Sequence, residues 1–351
     1  MDHPVSATTY APASALRRRV GCIVPVWFPG RVDAKEAAVY LRTTLAGTTA
    51  CLDPQDLLLV IDGCAPAAAA AERLRTEFAA EWGTPFQLMT LPQNRGKGGA
   101  LRAGLERVLA EKPQLDWIAF RDADGDHFID DLPHFFRLGE QLAAADGEHS
   151  SGPALVIGRR SAVHPSLGWM RAEFELLCNQ VIVESAAYAL ARSGRVWDTR
   201  FLVDRVPDLQ SGYKFFNRAA AEIALHAFIH EAALHPDLDL PRIGMEVAPF
   251  LRAVLAGCRV GEVERKSWYD QPVTAYGSID FASYYGGKLV WALRACEIPP
   301  DVVPILIDSA LAVRPLFADP DGRTRALTMR RYVHERLGLP DPGPPLLRRL
   351  V

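Results

Sequence analysis

The sequence predicts an α/β fold in which helices flank a mostly parallel sheet. In the first half of the chain, short apolar runs alternate with longer helical stretches. The runs are apolar almost throughout, which is typical of strands buried on both faces. The second half is mostly helical, which predicts a helical extension after the sheet. With 49% apolar residues among 351, the chain can bury a large core.

The first strand is predicted at 20–26, where an apolar run follows three arginines. Further apolar runs predict strands at 57–61, 86–91, 115–121 and 154–158. The stretches between them, one of which is rich in alanine, predict helices at 34–46, 66–81, 98–111 and 131–145. Strands joined in this way pair in parallel through right-handed crossovers. Because ligands bind beyond the carboxyl ends of such strands, we expect a functional site there.

The second half begins with a long helical stretch and contains one further strand. Helices are predicted at 166–191, 217–234 and 243–256, and a strand at 258–263. The segment 265–280 is rich in aromatics, Gly and Pro, which is typical of a loop over a binding site. More helices are predicted at 281–296, 301–312 and 322–336. The predicted organisation is therefore a flexible tail 1–18, a main domain 19–265, a loop 266–280 over the active site and a helical extension 281–351.

Composition excludes several classes of protein. The formal net charge of −3 argues against an electrostatic nucleic-acid binder. The six cysteines are scattered and form no Cys-x-x-Cys pair, so we expect reduced thiols in a cytoplasmic protein. No stretch reaches the roughly 20 apolar residues of a membrane-spanning helix, and Pro25 and Pro29 interrupt the one run that resembles a signal peptide. Peripheral membrane contact and homo-oligomerisation stay open.

The strand predicted at 115–121 ends in a cluster of carboxylates. Asp122, Asp124 and Asp126 stand at alternate positions directly after it. Carboxylates this close repel one another unless a cation or a set of N–H donors lies between them. Mg2+ or Mn2+ suits such oxygen ligands. The alternative is an Asp-rich turn that ends the strand, because Asp and Gly favour turns.

Glycines and basic residues stand at the start of the helix predicted at 98–111. The run 94–104 includes Arg95, Lys97 and several glycines. Glycine lets backbone N–H groups approach an anion, and the helix N-terminus favours negative charge. The run is neither a P-loop nor a dinucleotide fingerprint, and alone it is equally typical of a plain loop-to-helix turn. Its place one β–α unit before the acidic cluster predicts a diphosphate between Lys97 and a metal ion.

Six motifs follow one another over residues 20–265. They are Val24-Pro25-Val26, Val60-Ile61-Asp62-Gly63-Cys64, Asn94-Arg95-Gly96-Lys97-Gly98, Asp122-Ala123-Asp124-Gly125, Asp208-Leu209-Gln210-Ser211-Gly212-Tyr213-Lys214 and Gly244-Met245-Glu246-Val247. This order resembles the family 2 glycosyltransferases of GT-A fold, and most of all their polyprenyl-phosphate (dolichyl-phosphate) mannosyl- and glucosyltransferases. The resemblance implies a Rossmann-like GT-A domain that moves a sugar from a UDP- or GDP-sugar to a phosphate or hydroxyl acceptor, with inversion.

The resemblance also implies which residues bind the donor. Asp62 would contact the base or ribose of the nucleotide, and Lys97 would lie near the phosphates. Asp122 and Asp124 would form the Asp-x-Asp motif that holds Mg2+ or Mn2+ on the diphosphate. Asp126 stands where the subgroup usually has Gln, so it is a candidate third ligand. The full donor-binding set is Pro25, Val26, Asp62, Asn94, Gly96, Lys97, Gly98 and Asp122.

On the acceptor side, the catalytic candidates are Asp208, Gln210 and Glu246. A hydroxyl acceptor needs a general base, for which Asp208 is the first choice and Glu246 the second, whereas a lipid phosphate needs none. The candidates for acceptor binding are Arg159, Lys214 and Trp268. Membrane-embedded relatives carry C-terminal transmembrane helices, and this chain has other helices there. A small-molecule acceptor and a polyprenyl phosphate therefore both stay open.

Other functions also stay open. A nucleotidyltransferase acting on a sugar phosphate would use the same metal and basic loop. A GT-A-like domain that binds a nucleotide sugar without turnover is the second alternative, although Asp122, Asp124 and Lys97 form a complete metal and diphosphate set. A retaining relative of the glucosyl-3-phosphoglycerate synthase type would reverse the expected stereochemistry.

Overall fold

The computed structural model describes residues 13–144, 152–161, 163–164, 168–265 and 280–345. Its strands are β1 Val20–Val26, β2 Leu57–Asp62, β3 Gln87–Leu91, β4 Trp117–Phe120, β5 Ala154–Arg160, β6 Lys214–Asn217 and β7 Arg259–Arg265. Across the described chain these form one seven-stranded sheet in the order β3-β2-β1-β4-β6-β5-β7. Neighbours are parallel except at β6, which is antiparallel to β4 and β5. The predicted mostly parallel sheet is confirmed.

Helices cover both faces of this sheet. They are α1 Ala13–Arg19, α2 Ala34–Leu45, α3 Thr48–Cys51, α4 Ala65–Trp82, α5 Gly96–Glu111, α6 Leu132–Ala144, α7 Trp169–Arg192, α8 Arg218–Leu234, α9 Leu240–Ile243, α10 Val247–Leu255, α11 Phe281–Ala295, α12 Val303–Ala312 and α13 Pro320–Arg336. Successive strand residues face opposite sides, so Ile23 and Val24 belong to two different cores. The Ile23 core packs under α5, α7, α8 and the C-terminal helices, and the Val24 core under α1, α2, α4 and α6.

Two elements differ from the sequence-based expectation. Residues 13–19 form α1, where a flexible tail was predicted, because the Leu16 side chain is fully buried in the core. The strand β6 was not predicted, since it has only four residues between a polar motif and α8. Its Phe215 ring stacks on Trp117 with centroids 4.8 Å apart, which fixes β6 against β4.

The predicted C-terminal helical extension is confirmed, and it packs against the sheet domain. Tyr285 and Leu289 of α11 are buried in the same core as Phe174 of α7. In the part of the chain that the structure describes, no helix has both the length and the apolarity to cross a membrane. All six cysteines are buried and unpaired.

Candidate active site

A cavity of about 800 Å³ opens where β1, β2 and β4 end. Since these strands are parallel neighbours, their carboxyl ends meet at one edge of the sheet. The cavity brings together most of the predicted site residues: Pro25, Val26, Asp62, Asn94, Gly96, Lys97, Asp122, Asp124, Asp126, Gln210 and Glu246. Gly98, Arg159, Asp208 and Lys214 do not line it, and Trp268 and the loop 266–279 lie outside the described residues.

Lys97 lies in the first turn of α5, which begins two residues earlier than predicted. Its Nζ atom is 2.6 Å from Asp122 Oδ1 and 3.4 Å from Glu246 Oε1. Burial opposes charge on both partners, but their mutual attraction holds the pKa of Lys97 well above, and that of Asp122 well below, its usual range. The ammonium is therefore positioned at a helix N-terminus, a place that favours negatively charged groups.

The glycines of this turn are explained by packing. A Cβ atom at Gly96 or Gly98 would lie 2.8 or 2.9 Å from the Pro241 carbonyl oxygen. Gly96 also has a φ of +79°, which favours glycine. Gly98 is therefore packed against α9 on its Cα side and does not line the cavity, while its backbone N–H belongs to the first turn of α5.

Asp124 and Asp126 occupy different environments. Burial and then the neighbouring Asp122 and Asp126 carboxylates raise the pKa of Asp124 to about 7. The Asp126 side chain is buried, with Oδ2 3.4 Å from the Arg265 guanidinium. Among the described residues, no group of three or more His, Cys, Asp or Glu side chains could hold a metal ion. Two carboxylates suffice for Mg2+ or Mn2+ only where substrate phosphates complete the coordination.

His127 packs beside Asp122. Its Nδ1 atom accepts a hydrogen bond of 2.8 Å from the Asp122 backbone N–H, and its ring stacks on Tyr213. Burial and the Arg265 charge hold the pKa of His127 well below its usual range. The imidazole is therefore neutral with its proton on Nε2, which lies 3.8 Å from Asp122 Oδ2.

Asp62 is almost fully buried at the end of β2. Its Oδ1 atom accepts a 2.7 Å hydrogen bond from the Arg95 backbone N–H. The Oδ2 atom has no partner among the described residues. Burial raises the pKa of this carboxyl despite the N–H donors. A buried acceptor without a donor is costly, so this oxygen is suited to a ligand hydroxyl.

Asp208, the first choice for a general base, lies outside the cavity lining in a buried ion pair. Arg160 of β5 donates to both of its carboxylate oxygens, at 2.6 and 2.8 Å. Burial raises the pKa of Asp208, but Arg160 more than offsets this and lowers it. The sequence could not reveal this pair, because 48 residues separate its members. We therefore revise the assignment: Asp208 anchors the loop that carries Gln210.

Lys214 and Arg159 also contact protein groups instead of the cavity. Lys214 Nζ donates to the carbonyl oxygens of Leu209 and Ser211, and burial lowers its pKa to about 8. Arg159 lies 3.4 Å from Asp204 and 3.5 Å from Glu262. Neither arrangement supports the predicted binding of an acceptor phosphate.

Glu246 and Gln210 face the cavity. Glu246 is 8% exposed, and its Oε2 atom has no partner within the residues described. Gln210 is held at both ends of its amide: Oε1 accepts a 2.6 Å hydrogen bond from Lys288 Nζ, and Nε2 donates to Asn179 Oδ1 at 3.1 Å. Glu246, like Asp62, therefore lines the cavity with a buried carboxylate oxygen that lacks a hydrogen-bond donor among the described residues, which is costly unless a ligand hydroxyl supplies one.

Sequence reasoning missed one wall of the cavity. Ser283 and Tyr284 of α11 and Tyr332 of α13 line it, as does Arg171. The aromatic residues carry no motif, since they sit on helices whose pattern indicates only packing. The helical extension, whose role was not legible in the sequence, therefore takes part in the site.

Comparison with models of known protein families gives a match over part of the chain. Residues 36–190, which include Asp62, Lys97, Asp122 and Asp124, match the model of glycosyl transferase family 2. This match covers less than half of the chain and agrees with the predicted family. The predicted glycosyltransferase class and, with the mostly parallel sheet, the GT-A-like fold are confirmed. No curated protein matches the chain. Among solved structures, the chain is similar to "Mannosyltransferase PcManGT from Pyrobaculum calidifontis in complex with GDP-Man and Mn2+", at 16% identity and a TM-score of 0.48 over 90% of this chain and 76% of that one.

Proposed function

We propose that the protein transfers a sugar from a UDP- or GDP-sugar to a hydroxyl group, with inversion at the anomeric carbon. One observation carries this proposal. A single cavity contains the Lys97–Asp122 pair at a helix N-terminus and, 3.4 Å from Lys97, the Glu246 carboxylate with an unpartnered oxygen. A diphosphate site and a candidate base are thus next to each other.

The donor would extend from Asp62 to Lys97. Asp62 Oδ2 would accept a hydrogen bond from the ribose or base, since it has no other donor within the described chain. Lys97 and the first N–H groups of α5 would neutralise the diphosphate. His127 Nε2–H, beside Asp122, would donate to a phosphate oxygen.

Asp122 and Asp124 would hold the Mg2+ or Mn2+ ion. The raised pKa of Asp124, caused by burial and by Asp122 and Asp126, fits a carboxylate that needs a cation to stay ionised. Asp126 is left out of this set because Arg265 is its partner. When bound, the ion would offset the charge that develops on the leaving nucleoside diphosphate.

Glu246 would act as the general base. Its Oε2 would take the proton of the acceptor hydroxyl while that oxygen attacks the anomeric carbon. The bond between this carbon and the diphosphate oxygen breaks as the new one forms, and the electron pair leaves with the nucleoside diphosphate beside Lys97. A single displacement of this kind inverts the anomeric configuration.

A hydroxyl acceptor is favoured over a phosphate by the pairing of nearby cations. Arg160 is bonded to Asp208 and Glu175, and Arg171 to Glu175. These guanidiniums have no surplus charge for a phosphate, and Glu246 would repel one.

Calorimetric titration tests the donor half. The protein is titrated with UDP, GDP, UDP-glucose, UDP-N-acetylglucosamine, GDP-mannose and nucleoside triphosphates, with Mn2+ and again with EDTA. We expect one diphosphate series to bind with Mn2+ and at least tenfold more weakly with EDTA. Binding of triphosphates alone would support a nucleotidyltransferase, and binding of none would refute the proposal.

Gly212 offers an independent test of the diphosphate position. An added Cβ atom would lie 2.6 Å from both Lys97 Nζ and Asp122 Oδ2. Both atoms end flexible side chains, so Gly212→Ala should fold but displace the pair. We expect roughly tenfold weaker diphosphate binding by calorimetry, with the thermal midpoint changed by only a few degrees.

Gly30→Ala is the matched control, because nothing lies within 4 Å of its added Cβ. It should leave both diphosphate affinity and thermal stability unchanged. Equal diphosphate affinity in the Gly212→Ala and Gly30→Ala variants would argue against phosphate binding at Lys97 and Asp122.

A further inference from the structure

We propose that the C-terminal helices α11 and α13 form the acceptor subsite, and that it binds a neutral, ring-shaped compound rich in hydroxyl groups, such as a sugar. The inference rests on the proposed function, because it takes Glu246 as the base. Four observations support it: the position of the wall that these helices contribute, its rigidity, the charge around it and the chemistry of its lining.

The wall lies on the Glu246 side of the cavity. Ser283, Tyr284 and Tyr332 line the same cavity as Glu246 and Gln210. Lys288 Nζ is 2.6 Å from Gln210 Oε1 and 4.0 Å from the centre of the Tyr284 ring, so it joins this wall to the 208–212 loop. Asp62 and the β1 end contribute the part of the cavity proposed for the nucleotide. An acceptor against Tyr284 would thus lie in the same cavity as the base, beside the 208–212 loop.

The wall is held in place by contacts within the protein. Lys288 is 1% exposed and holds Gln210 from behind, while Asn179 of α7 holds the other end of the same amide. Tyr332 of α13 packs so closely on α11 that a Cβ at Gly286 would lie 2.6 Å from its ring. Because the two helices interlock, their aromatic side chains keep a fixed place relative to Glu246.

The charges around this wall disfavour an anionic acceptor. Arg160, Arg171 and Arg242 line the cavity, and each of them lies in an ion pair. The buried Oε2 of Glu246 has no hydrogen-bond partner among the described residues, and Asp280 adds a second carboxylate. The ion pairs are Arg160 with Asp208 and Glu175, Arg171 with Glu175, and Arg242 with Asp239. Lys288 is buried behind Tyr284 and donates to Gln210. Repulsion by the carboxylates would reject a phosphate and leave neutral compounds.

The chemistry of the lining matches a sugar. An aromatic face packs on the apolar C–H face of a sugar ring, while hydroxyl and carboxylate groups bind its hydroxyls. Tyr284 and Tyr332 supply the rings, and Ser283 and Glu246 supply polar groups. The unpartnered Oε2 of Glu246 would accept a hydrogen bond from the hydroxyl that reacts.

The test compares a blocking variant with a matched control. Ser283→Trp places a large ring in the cavity from an exposed position. Thr328→Trp adds the same ring at an exposed position of α13 that does not line the cavity. Release of nucleoside diphosphate is measured with methyl glucoside and methyl mannoside as neutral probes, and with glycerol 3-phosphate and a short isoprenyl phosphate as anionic probes.

We expect a neutral glycoside to stimulate release above hydrolysis, and Ser283→Trp to lower its kcat/KM at least tenfold while the diphosphate Kd stays within about twofold. Thr328→Trp should behave like the unmodified protein. If Ser283→Trp fails to fold, Tyr284→Leu should raise KM for the glycoside with the diphosphate Kd unchanged.

Three results would overturn the inference alone: stimulation only by anionic probes or by none, a Ser283→Trp variant that matches Thr328→Trp, or loss of diphosphate binding in Ser283→Trp. If the unmodified protein binds no nucleoside diphosphate, the proposed function itself fails.

Discussion

Glu246→Gln is expected to lower kcat for transfer to a hydroxyl by roughly 10²–10⁴-fold, the range that general-base catalysis supplies. The glutamine amide has the shape of the carboxylate but cannot take a proton from the acceptor hydroxyl. Lys97 keeps Asp122 as its partner 2.6 Å away, so the donor should still bind. The measurement is release of nucleoside diphosphate under saturating donor, together with calorimetric affinity for the diphosphate.

Asp208→Asn provides the contrast. It removes one charge from a buried ion pair with Arg160, and loss of a partner from such a pair costs roughly 3–5 kcal/mol of folding free energy. We expect lower thermal stability with turnover retained by the folded fraction. The reverse pattern, normal turnover in Glu246→Gln and none in folded Asp208→Asn, would return the base to Asp208.

The grouping of the residues proposed for the donor could be predicted because it depends on short-range patterns. Asp62 and Asp122 each follow an apolar run, and parallel neighbours must end at the same edge of the sheet. Their proximity follows from topology alone. Lys97 lies at the start of the helix that follows β3. The order of strands and helices alone therefore predicts that it lies near Asp122.

The acceptor half could not be predicted, because it depends on pairs of residues far apart in the chain. The sequence indicates Asp208 as a base, but Arg160, 48 residues away, donates hydrogen bonds to both of its carboxylate oxygens. Gln210 is held by Lys288, which is 78 residues away on α11. Helical periodicity predicts that α11 packs against something, but not that Tyr284 also faces a cavity.

Asp124→Asn is expected to abolish the Mn2+ dependence of diphosphate binding and to lower turnover at least 10²-fold, because Asn lacks the charge that a hard cation requires. The same change should stabilise the metal-free protein. Burial, with Asp122 and Asp126, raises the folded-state pKa of Asp124 to about 7, above its usual value of 3.8. The folding stability that the neutral Asp124 carboxyl contributes is therefore lost as the pH rises through 7. In the variant the Asn amide stays neutral, so this loss does not occur.

The measurement for this variant is thermal unfolding in EDTA at pH 8, with calorimetry of diphosphate binding in Mn2+. Asp130→Asn, an exposed carboxylate six residues further along, is the matched control and should change neither result. A higher midpoint with lost Mn2+ dependence would identify Asp124 as a carboxylate kept at a cost to stability because it serves the metal. A lower midpoint with intact Mn2+ dependence would mean that Asp124 is a structural turn residue.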